Sequence, residues 1–173
     1  MSRASKITRI FIHCSAGFGD IESQKAYWRS LGWKSVGYHI EVDLDGNLHH
    51  LADFEQVVNG VKYYNSTGIH ICYTGGVDMN NYKIAKDTRT DNQKQGILNA
   101  IEEALDWLLH NNIDLCNIQI LGHRDISPDK NLNGRVDSWE RIKECPSFDA
   151  IPEYSQVIDN YLLNLPLNYR NEN

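Results

Sequence analysis

Between Asp91 and His110 the chain reads DNQKQGILNAIEEALDWLLH, and Ile97, Ala100, Ile101, Ala104, Leu105 and Leu108 recur in it at the spacing of an α-helix with one buried face. No other segment constrains the fold as tightly. A helix of that length runs about 30 Å, so its stripe needs an apolar layer of similar extent to pack against.

That layer is legible as strands. RIFIHCSA (residues 9–16) is rich in β-branched and aromatic residues and reads as a buried strand, and SQKAYWRSLG (residues 23–32) follows it with helical spacing and a glycine stop. YHIEVDL and NLHHL, joined at Asp45-Gly46, read as a hairpin. Residues 69–74 form another short strand, NIQILGHRD (residues 117–125) a strand that delivers His123 at its end, and residues 154–163 a closing helix. The order β, α, hairpin, β, α, β, α predicts an α/β fold: one domain over residues 1–173, with a central mixed β-sheet flanked by α-helices.

Composition narrows the function. A net charge of −6 argues against a nucleic-acid binder, which needs clustered Lys and Arg. No apolar run approaches the roughly 20 residues that span a bilayer, so no membrane insertion is expected. The N-terminus lacks the apolar core of a signal peptide, so the chain is expected to be made and kept in the cytoplasm until released. Cys14, Cys72, Cys116 and Cys145 are widely spaced with no CxxC pair. Three of them read as free buried thiols; Cys145 is the exception.

His13 and His123 sit at the ends of two predicted strands, and Cys145 follows His123 by a loop. Taken singly, each histidine is more commonly structural than a ligand. A His, His, Cys set, however, leaves one position of a tetrahedral zinc open for water, which is a catalytic arrangement.

FIHCSA, GWKSVGYHIEVDLDG, YNSTGIHICYTGG, GHRD and KECPSFD occur in this order. Together they resemble the zinc-dependent N-acetylmuramoyl-L-alanine amidases of the bacteriophage lysozyme type, relatives of the peptidoglycan recognition proteins, over about residues 10–149. The resemblance implies zinc ligands at His13, His123 and Cys145, and catalytic roles for Tyr38 and Lys143. It implies a peptidoglycan or muropeptide substrate, cut at the amide between N-acetylmuramic acid and L-alanine, by an endolysin acting on the wall after release; a toxin effector or a cytoplasmic recycling amidase would look similar, and a monomer is expected. The alternative is a binding module that recognises peptidoglycan without cutting it; such modules typically lack the cysteine. The sequence also departs from the family. Gly60 stands where a histidine is common, and His70 where a glycine is usual, so His70 is a candidate cleft residue. Cys72 stands where some relatives carry a glutamate base.

A second metal is suggested by DKNLNGRVDSWE, residues 129–140. Asp129, Asn131, Asn133, Asp137 and Glu140 fall at the oxygen-ligand positions of a twelve-residue calcium loop, with Gly134 at the turn. The flanks are not those of a helix–loop–helix hand, and Asn- and Asp-rich turns also form by capping their own backbone. The expected cofactors are thus Zn²⁺ and, more weakly, Ca²⁺.

Overall fold

The helical stripe finds its partner in a five-stranded sheet. In the computed structural model, which describes residues 2–166, β1 (Arg9–Cys14), β2 (Ile40–Val42), β3 (Leu48–His50), β4 (Gly68–Tyr73) and β7 (Gln119–Gly122) form one sheet in the order β3-β2-β4-β1-β7. β1 pairs in parallel with β4 and β7, and β2 with β4; only the β2–β3 hairpin is antiparallel. The mixed sheet is therefore the expected one. The remaining strands, β5 (Val77–Asp78) and β6 (Asn81–Ala85), make a separate ribbon that was not foreseen.

α2 (Asp91–His110) starts on a capping box, in which the Thr90 side chain accepts from Gln93 N and Gln93 answers to the backbone of Thr90. Its stripe, Ile97 to Leu108, is fully buried. It packs with Ile10, Ile12, Ile40, Val42, Ile69, Ile71 and Tyr73 in one core cluster. Strand residues two apart share a face, so the alternate residues Phe11, His13, His39, Glu41, His70 and Cys72 point to the other side. They are also buried. The central strands thus read as continuous buried runs, yet one face is aliphatic and the other carries most of the polar groups.

α1 (Ile21–Ser30), capped by Asp20, covers part of that polar face through Trp28, and Gln24 bonds Glu41. Two predicted boundaries shift. The last strand stops at Gly122, where Asp125 accepts the Gly122 N–H (2.7 Å) and turns the chain into a 3-10 helix from His123 to Ile126. The closing helix, α4 (Val157–Asn164), starts later than the expected residue 154, because Tyr154 ends a short preceding helix, α3 (Ala150–Glu153), and turns inward against Phe148. Residues 167–173 lie outside the described residues.

Candidate metal centre

His13 leaves the polar face of β1 near the C-terminal edge of the sheet, and His123 arrives from the end of the neighbouring β7. Their rings meet edge to face with centroids 5.0 Å apart. Cys145 is brought to them by backbone. Its carbonyl accepts the Arg124 N–H (2.7 Å), its sulfur accepts the Cys14 N–H (3.3 Å), and Gly122 has no Cβ to obstruct the ring of Pro146. The Arg124 guanidinium, pinned by Asp149, ties the ends of this segment together. One ligand atom from each of His13, His123 and Cys145 lies within 4.8 Å of the others, and this is the only such group of His, Cys, Asp and Glu among the described residues.

The electrostatics suit a soft divalent cation. Burial, then the neighbouring imidazoles and Lys143, hold His13 well below the usual histidine range, and burial and Lys143 bring His123 down to about 4. Both rings therefore offer neutral lone pairs at neutral pH. Burial likewise pushes the Cys145 thiol up. A cation placed among the three would reverse that preference and take the thiolate. The donor set of two imidazoles and one sulfur, open on one side to a cleft, fits a three-ligand zinc site.

The cleft above the centre measures roughly 660 Å³. Tyr38 and Lys143 both line it. The Tyr38 ring lies 5.0 Å from that of His13, centroid to centroid, and is braced edge-on by Trp28. Burial and the surrounding thiols raise its pKa, so it remains a phenol and a hydrogen-bond donor. Lys143 is exposed at the rim. Tyr27, Trp33 and Tyr82, which are 61%, 37% and 55% exposed, also line the cleft. Tyr82 comes from the unforeseen β5–β6 ribbon.

His70 is not on the cleft surface. It is fully buried behind His13, with Nδ1 3.1 Å from His13 Nε2. Gly60 is the reason it fits: a Cβ at that position would lie inside contact distance of the His70 ring. The two departures from the family pattern are therefore one packing unit. Cys72 is buried beside Tyr38, and Glu41, its register partner on β2, is a buried carboxylate. One Glu41 oxygen takes bonds from Gln24 and Thr74, and the other has no protein partner. Cys116, expected to be buried, is exposed in a 3-10 turn.

The calcium expectation finds no support. Glu140 spends both carboxylate oxygens on backbone N–H groups of Lys130, Asn131 and Asp137. Asp129 accepts from the N–H groups of Asn133 and Gly134, and Asp137 accepts from the side-chain amides of Asn131 and Asn133. Asp129, Asn131, Asn133, Asp137 and Glu140 thus cap their own loop, the alternative that Asn- and Asp-rich turns always offer.

Residues 3–146 match the N-acetylmuramoyl-L-alanine amidase family. The endolysin of Klebsiella phage KP32 is 27% identical over 152 residues, which is 86% of this chain and 85% of that protein. Among solved structures, the endolysin amidase LysCS of Clostridium intestinale superposes with a TM-score of 0.60 at 18% identity, covering 92% of this chain and 87% of that one. PGRP-SA of Apis mellifera superposes with a TM-score of 0.59 at 12% identity, covering 87% and 82%. With the family match running over most of its length and the His, His, Cys cluster at the floor of its cleft, the chain belongs to the N-acetylmuramoyl-L-alanine amidases.

Proposed function

We propose that the chain is a single-chain, zinc-dependent endolysin that hydrolyses the amide between the lactyl group of N-acetylmuramic acid and L-alanine in peptidoglycan. The observation that carries this reading is the convergence of His13, His123 and Cys145 beneath a cleft that also holds Tyr38 and Lys143. His13, His123 and Cys145 would hold a zinc ion, which would supply Lewis-acid polarisation of the scissile carbonyl and make a water nucleophile available near neutral pH. The protein's own groups do the rest. As the carbonyl carbon becomes tetrahedral, negative charge grows on its oxygen, and the Tyr38 hydroxyl and the Lys143 ammonium are donors that line the same cleft. The exposed rings of Tyr27, Trp33 and Tyr82 offer flat apolar faces to sugar or stem-peptide groups. Among the described residues no helix is long and apolar enough to cross a membrane. We place the enzyme in the cytoplasm when made, acting on the wall after release.

The competing reading, a module that binds peptidoglycan without cutting it, is disfavoured by retention of the thiol ligand. The two are separated by digesting purified cell wall and analysing the products by mass spectrometry. The amidase releases stem peptides with free L-Ala amino termini and creates no new reducing sugar ends. Chelation by EDTA or o-phenanthroline should stop that release and zinc restore it, and Cys145→Ser should lose the metal, because a neutral hydroxyl is a far poorer ligand than a thiolate. Full release by metal-free protein would overturn the zinc mechanism.

A further inference from the structure

His13 is held from two directions. Its Nδ1 faces the Cys145 sulfur at 3.7 Å, and its Nε2 faces His70 Nδ1 at 3.1 Å. A metal shared with Cys145 would therefore take the Nδ1 lone pair. The ring proton must then sit on Nε2, where it needs an acceptor. His70 Nδ1 is the group in that place.

Nothing about the His70 ring is free to drift. It is stacked parallel between Phe11 (centroids 5.1 Å, planes 5° apart) and His39 (5.9 Å, 4°). His39 is itself fixed, since its Nδ1 accepts the His70 backbone N–H (3.0 Å) and its Nε2 lies 3.0 Å from the Gln56 carbonyl. On the remaining side, Gly60 gives the imidazole room that any Cβ would take away. His70 also leaves its Nε2 buried without a protein partner. A buried polar atom left unpaired is rare and costly, so packing alone does not account for an imidazole here. A ring of carbon atoms would fill the slot between Phe11 and His39 without that penalty.

We infer that His70 is a positioning residue of the metal centre: it accepts the His13 Nε2–H through Nδ1, fixes the His13 tautomer and ring plane, and so aims Nδ1 at the metal, with Gly60 as the clearance that lets it do so. The inference rests on the zinc reading above. It assigns His70 no contact with substrate. Acceptors behind metal-bound histidines raise ligand basicity and orient the ring, and losing one typically weakens metal binding by about 10- to 100-fold.

The test compares zinc affinity of the full chain, by competition with a chromophoric chelator, in wild type, His70→Phe and His70→Asn. Phenylalanine keeps the stacked ring and removes Nδ1, whereas the Asn side-chain oxygen reaches close to the Nδ1 position and restores the acceptor. His70→Phe should bind zinc about 10- to 100-fold more weakly, and its cobalt-substituted form should show shifted ligand-field bands. His70→Asn should recover most of the affinity and the wild-type spectrum. Thermal unfolding of the metal-free proteins checks that each variant folds. Should His70→Phe fail that check, Gly60→Ala replaces it, because its methyl pushes the His70 ring away while touching no ligand. Zinc affinity unchanged in His70→Phe, or in Gly60→Ala where that variant stands in, overturns the inference and leaves the zinc site intact. A wild-type chain that binds no zinc overturns both.

Discussion

Tyr38 and His13 are near neighbours with different work, and substitution separates them. Tyr38→Phe keeps the ring that packs on His13 and Trp28 and removes only the hydroxyl. Lys143→Ala removes an exposed cation that touches no core. Both variants should retain full zinc and lose turnover by roughly 100- to 1000-fold, the usual cost of one donor to a developing oxyanion. Metal analysis with wall-lysis rates on the same samples reads this out, and wild-type rates at full zinc would remove either residue from the mechanism. The meeting of His13, His123 and Cys145 was expected from the family resemblance and not from local signals, since each histidine taken singly reads as structural. The contact of His70 with His13 was not legible. Sequence puts His70 and Cys72 on one face, but which side of β1 that face adjoins depends on the parallel pairing of strands far apart in the chain.

Gly96 sits inside α2, where a glycine ordinarily costs about 1 kcal/mol relative to alanine. Here the sign reverses. A Cβ at Gly96 would stand 2.5 Å from the Gly46 carbonyl and 2.6 Å from Val42 Cγ1, so the helix lies directly on the β2–β3 turn. Gly96→Ala should therefore destabilise the protein by about 1–3 kcal/mol, as overpacking does, and urea unfolding should show it; a stabilised variant would mean that the turn yields easily. α2 itself was plain from sequence, because its stripe spans the whole helix and its cap is local. The β5–β6 ribbon was missed for the opposite reason: every residue of β6 is exposed, so no alternation of buried and exposed side chains records it. The closing helix was expected to begin at Tyr154, but Tyr154 instead ends the short helix α3 with its ring turned in to Phe148, and the helix proper starts at Val157.

At the scale of the whole molecule, one face of the sheet is an oil-like layer under α2 and the other is a buried imidazole cluster, and this asymmetry sets how the fold meets acid. His39 is fully buried, and burial lowers it from 6.5 to about 4. His123 is brought down to about 4, and His13 and His70 are also lowered. For each, the unfolded chain takes up a proton before the folded chain does. Stability is therefore fully present above about pH 6.5, falls as the pH drops through the window between the unfolded and folded values, and falls no further below the folded value. His39 alone accounts for about 3 kcal/mol of that loss, at 1.36 kcal/mol per unit. Urea midpoints of the metal-free chain should thus fall steeply between about pH 6.5 and pH 4. The zinc-loaded chain should lose stability more steeply still, because protons then also compete for the ligands. His39→Asn, whose side-chain oxygen can still accept the His70 N–H, should flatten the metal-free slope by about one proton's worth. A metal-free midpoint that stays level across this range would mean that the imidazoles take up protons without unfolding the sheet, and that the polar face is open to water.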